Sequence, residues 1–198
     1  MQFKQAGEFI TNKLKKELPA NYIYHNIDHT TDVYYAAENL GKLEKISGAD
    51  MKLLLTSAWY HDSGFLRVSS GHEEESCRIA ATALPGFGYT ENEINIICGM
   101  IRATRIPQSP KTQLERILAD ADLDYLGRDD FFEVGDRLYS ELHSAGAIAS
   151  KTDWNKMQLD FMESHNYFTK SAINLRQAKK AANLAQIKAQ LLTHHTTK

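Results

Sequence analysis

Trp59-Tyr60-His61-Asp62-Ser63-Gly64 closes the apolar run Met51-Lys52-Leu53-Leu54-Leu55-Thr56-Ser57-Ala58, and everything else in the chain is read outward from it. A run that is apolar on most sides marks a helix buried in the middle of a domain. It carries a histidine and an aspartate, neighbours in sequence, to the interior. Adjacent side chains on a helix diverge by about 100°, so two of them converge only on an object placed between their directions. A buried carboxylate without a partner costs several kcal/mol, so Asp62 is expected to be paired, hydrogen-bonded or metal-bound. A metal ion is the expected object.

Around this stretch, apolar residues recur at i, i+3 and i+4, prolines are few and no segment alternates as a strand would, so the 198 residues are expected to form one all-α domain. Phe3, Ile10, Leu14 and Leu18 space a first helix that stops at Pro19. A second is expected from Ile27 to Ile46, with Val33, Ala36, Ala37, Leu40 and Leu43 facing the core. Ser47 to Asp50 open the central helix, and another begins at His72. Thr90 and Glu93 have capping-box spacing ahead of Ile94, Ile97, Cys98 and Ile101. Further helices are expected over 111–124, 129–148, 152–161 and 169–192. The core holding the site is expected at about 20–130, with helices over 131–192 packing on it and a frayed tail at 193–198.

The net charge is −2 at pH 7, with both signs interspersed, so no overall field points to nucleic acid or an anionic membrane. No apolar run approaches a membrane span and the N-terminus lacks a signal-peptide pattern; a cytoplasmic protein is expected. Cys77 and Cys98 sit in apolar-periodic segments and read as reduced core thiols. Trp154, Phe161, Tyr167 and Phe168 read as core or as a contact between two copies, so a homodimer is an open expectation.

Histidine and carboxylate recur at three more places: His25 and His29, four residues apart; His72, followed by Glu73, Glu74 and Glu75; and Asp120 with Asp122. Singly, each has a plainer role, His25 as a helix cap and His29 as a core histidine. Together, imidazoles and carboxylates suit a divalent ion, Mn, Fe, Co, Ni, Zn or Mg, and the lack of nearby thiolates argues against structural zinc. Asp124, Asp129 and Asp130 are expected to be solvated or to cap helices. His143, His165, His194 and His195 are expected away from the site.

In this order, His29, the His61-Asp62 doublet and the segment Ala119-Asp120-Ala121-Asp122-Leu123-Asp124-Tyr125-Leu126-Gly127 resemble the HD-domain superfamily of metal-dependent phosphohydrolases. The segment Tyr24-His25-Asn26-Ile27-Asp28-His29 is similar to the Y-H-N-x-x-H stretch of cyclic-nucleotide phosphodiesterases, and the acidic D-x-D-L-x-x-L-G segment to that of small bacterial HD phosphohydrolases. The resemblance implies His29, His61, Asp62 and Asp122 as metal ligands, Asp122 rather than Asp120 because a leucine follows it. It implies catalytic roles for His25, as proton donor to the leaving oxygen, and for Asp62. His72, Glu73 and Asp120 are expected to orient a ligand or water, or to bind a second ion. Arg102 and Arg105 are candidates for phosphate, ahead of Lys111 and Arg128. The implied substrate is a nucleotide or other small phosphate ester. A cyclic nucleotide and a regulatory module that binds without turnover are the alternatives.

Overall fold

The computed structural model describes the backbone of residues 1–195 and the side chains of residues 1–192. The tail expected to fray lies outside the residues whose side chains are described. Among the described residues there are nine α-helices, three 3-10 turns and no strand. The chain divides into two compact units, residues 1–122 and 123–198. No helix among the described residues is long and apolar enough to cross a membrane.

The first unit contains α1 (Phe3–Glu17), α2 (Ile27–Leu43), α3 (Gly48–Tyr60), α4 (His72–Ala83), α5 (Glu91–Ala103) and α6 (Gln113–Asp122), with 3-10 turns at Ser63–Leu66 and Leu84–Phe87. Its centre is α3, which packs against the other five helices and buries Leu53, Leu54, Leu55, Ala58 and Tyr60. A helix so enclosed must satisfy its own polar groups. Thr56 Oγ1 and Ser57 Oγ donate to the carbonyls of Lys52 and Leu53, at 2.7 and 2.9 Å, and Tyr60 donates to the Ala6 carbonyl at 3.2 Å. Trp59 stacks between Phe3 and Tyr34, with centroids 4.7 and 4.8 Å away. Gly7 leaves room for that indole: a Cβ there would lie 2.3 Å from its ring. Thr90 and Glu93 form the expected capping box on α5, and Cys77 and Cys98 are buried free thiols.

Helix α2 ends at Leu43, three residues short of expectation. Ile46 N–H bonds back to the Gly41 carbonyl at 2.9 Å while Lys45 adopts φ 58°, the geometry of a Schellman closure with lysine in the place glycine usually takes. Leu43 is consequently 49% exposed, and Thr30 and Gly41 are buried in place of the expected Ala36 and Leu43.

The second unit opens with a 3-10 turn at Asp124–Gly127, followed by α7 (Phe131–Ser144), α8 (Lys151–Ser164) and α9 (Lys170–His195). Here Asp124, expected to be solvated or a cap, is buried. Arg176 grips its carboxylate from Nε and Nη2 at 2.7 and 2.9 Å, and Gly127 lies so close that a Cβ would be 2.5 Å from the Arg176 carbonyl oxygen. Trp154 and Tyr167 are buried in this unit, which also carries His143 and His165.

Candidate metal centre

Four side chains at helix ends of the first unit meet at one point. His29 stands in the first turn of α2, His61 and Asp62 directly follow α3, and Asp122 is the last residue of α6. The start of α2 is fixed by Asn26, whose Oδ1 accepts from Asp28 N at 2.8 Å and His29 N at 3.4 Å. Asn26, and not His25, is therefore the cap. His61 is fully buried, and its Nδ1–H donates to the Ala58 carbonyl at 2.9 Å. That bond leaves the Nε2 lone pair free to bind a cation.

His29 Nε2 lies 3.3 Å from Asp62 Oδ2, 3.2 Å from Asp122 Oδ1 and 3.4 Å from His61 Nε2. His61 Nε2 lies 3.2 Å from Asp62 Oδ2 and 3.5 Å from Asp122 Oδ1. His29, His61 and Asp122 thus form a group able to hold a metal ion. Asp62 supplies a second sign of the same fit, because its buried Oδ2 makes no hydrogen bond among the described residues although two ring nitrogens face it. Such an oxygen is costly unless a cation neutralises it.

The electrostatics are those of a coupled cluster. Burial disfavours the imidazolium of His29, but the Asp122 and Asp62 carboxylates outweigh it and raise its pKa; the same balance raises His61 well above 6.5. Burial also opposes ionisation of the aspartates. The two imidazoles prevail, holding Asp62 well below 3.8 and bringing Asp122 to about 2. Both carboxylates are kept as anions.

Around this group, His72 Nε2 approaches Asp62 Oδ1 at 3.5 Å and Glu73 Oε1 at 3.8 Å. Glu73 Oε2 is 3.5 Å from Arg105 Nε, so Arg105 is linked to the cluster. Arg102 is held by Glu74, with Nε 3.0 and 3.1 Å from its two oxygens, and Arg105 Nη2 donates to Glu74 Oε1 at 3.3 Å as well. Asp120 is fully buried on α6. The His25 ring stacks on Phe65 at 4.3 Å, with the His29 centroid 6.0 Å away. Phe65 also stacks on His72 at 4.1 Å, so one phenyl ring orients both outer histidines.

Phe65 was not among the expected site residues, and neither was Gly64. Gly64 N–H donates to Ser76 Oγ at 2.7 Å, and a Cβ on Gly64 would lie 2.0 Å from the His72 carbonyl oxygen. The bare backbone at this position lets the turn after Asp62 press against the first residue of α4. The glycine following His-Asp-Ser, and the asparagine preceding α2, were the signals available.

No protein-family model matches the sequence, and no curated protein matches it. Among solved structures, a protein from an uncultured Thermotogales bacterium described as a predicted HD superfamily hydrolase is similar at TM-score 0.62 and 19% identity, over 94% of this chain and 91% of that one. The chain shares that protein's fold. A Lactobacillus plantarum protein shares it at TM-score 0.68 and 18% identity, over 98% of this chain and all of the other. In this fold the His-Asp doublet ends the central helix, at the place where His29 and Asp122 arrive from α2 and α6.

Proposed function

We propose that the chain is a metal-dependent phosphohydrolase of the HD superfamily, acting on a nucleotide or another small phosphate ester. The observation that carries this is the buried Asp62 Oδ2, unbonded and facing two imidazole nitrogens, with Asp122 Oδ1 against the same two rings. His29, His61, Asp62 and Asp122 would hold the ion, a mixed nitrogen and oxygen set suited to Mn, Fe, Co, Ni, Zn or Mg. When bound, a divalent ion supplies Lewis acidity toward a phosphoryl oxygen and makes water more acidic.

The chain's own groups do the rest. A proton taken by Asp62 has His72 Nε2 at 3.5 Å to pass to, and Glu73 stands behind that ring. His25, oriented by its stack on Phe65, donates a proton to the departing oxygen. Both arginines lie against Glu74, and Arg105, which also reaches Glu73 beside the cluster, is the better placed of the two to meet a phosphate oxygen. A cyclic nucleotide is the second substrate class, favoured by the position of His25 beside His29.

The test is a panel of nucleotides, cyclic nucleotides and other phosphate esters assayed with Mn, Mg, Co and Ni, using wild type and Asp62→Asn. Metal-dependent release of phosphate or of a nucleoside monophosphate, lost in Asp62→Asn, is the expected result. Tight nucleotide binding without product would identify a binding module instead.

A further inference from the structure

The second unit carries a polar cluster that the metal centre does not use. Between α8 and α9, a concavity of about 350 Å³ is lined by Met162, His165, Gln177, Lys180 and Leu184 among others. His165 is 8% exposed, and neither of its ring nitrogens has a hydrogen-bond partner among the described residues. Buried polar atoms are almost always bonded, because an unmade bond forfeits the group's hydration. Lys180, 4% exposed, lines the same space. Its ammonium donates to the His165 carbonyl and lies 6.0 Å from the Tyr167 ring centroid, but it makes no ion pair among the described residues. Glu163, the carboxylate at the rim, is engaged by Lys188 at 2.7 Å. A buried ammonium without a counter-charge next to an imidazole that packs on Phe161 and Tyr167 but whose nitrogens lack hydrogen bonds describes a place short of one anion.

We propose that this cavity binds a small carboxylate with a short apolar body. The carboxylate meets Lys180 Nζ and a ring N–H of His165, while Met162 and Leu184 receive the aliphatic part. One ammonium matches one negative charge. A phosphate dianion fits less well, since no arginine lines the cavity to provide the two-pronged donor that phosphate favours.

The test uses the full-length protein and follows the His165 ring resonances by NMR, identified by their loss in His165→Gln, as sodium butyrate is added. Saturable displacement of those resonances at millimolar butyrate is expected, with none from butyramide, the uncharged analogue. Lys180→Arg keeps the response, and Lys180→Met weakens binding at least about tenfold. No displacement by butyrate, an equal response to butyramide, or a response to inorganic phosphate alone would each overturn the proposal. Should Lys180→Met fail to fold by circular dichroism, wild type and Lys180→Arg compared across butyrate and butyramide decide the matter.

Discussion

Replacing Gly64 with alanine places a methyl group 2.0 Å from the His72 carbonyl oxygen and 2.7 Å from its carbonyl carbon, both of them backbone atoms that no rotamer change can move aside. The turn at Ser63–Leu66 and the start of α4 must separate by about 1 Å, which as overpacking costs roughly 1–3 kcal/mol. The same displacement stretches the 2.7 Å bond from Gly64 N–H to Ser76 Oγ, and a buried N–H left unbonded adds about 1–3 kcal/mol. A loss of about 2–6 kcal/mol is therefore expected, a large part of the 5–15 kcal/mol typical of a folded domain. Urea unfolding at unchanged m-value measures it, and Ser76→Ala, which removes only the bond, should account for about 1–3 kcal/mol of it. Because His72 is carried away from Asp62, metal-dependent turnover should also fall in Gly64→Ala. A Gly64→Ala protein within about 0.5 kcal/mol of wild type, the scale of an ordinary surface substitution, would refute the close contact and the link drawn between the turn and His72.

Asp62→Asn should lower bound metal in protein purified without chelator by at least about tenfold, read by elemental analysis against wild type. Asn26→Ala should cost about 1 kcal/mol in thermal or urea unfolding and weaken metal binding as well, since the lost cap holds the turn that carries His29. In metal-free protein, the raised pKa values of His29 and His61 contribute stability that is complete below pH 6.5 and is lost as pH rises through their folded values. The lowered Asp122 contributes above pH 3.8 and is lost as pH falls toward about 2, so chelated protein should be most stable between these limits, while metal affinity climbs with pH as protons leave the imidazoles. In the second unit, burial and then Lys180 bring the His165 pKa down to about 4, so stability present above pH 6.5 should decline by up to about 3 kcal/mol as pH drops to 4. His165→Phe should remove that decline, as unfolding curves at pH 7 and 4.5 would show.

What was legible beforehand followed from signals that are local in sequence. The apolar surround of α3, the capping residues Ser47 and Thr90, and the stop at Pro19 each act within a few residues, and the helices begin or end there. The convergence of His29, His61, Asp62 and Asp122 is what the resemblance to the HD-domain superfamily implied; residue types alone offered only that buried imidazole and carboxylate need partners. Less legible were features made by tertiary contact. The end of α2 depends on Lys45 taking a left-handed conformation that no glycine announces. Asp124 carries no sign in sequence that Arg176, more than fifty residues later, will bury it. Phe65 reads as an ordinary loop aromatic until His25 and His72 are seen stacked on it.

The chain has two tryptophans, and the division into units gives one to each: Trp59 in residues 1–122, between Phe3 and Tyr34, and Trp154 in residues 123–198. Each compact unit thus contains its own fluorophore. Trp59→Phe and Trp154→Phe turn the molecule into a pair of single-colour reporters, whose emission during denaturation shows directly if the metal-bearing half and the half with the His165 cavity melt in one step or in two.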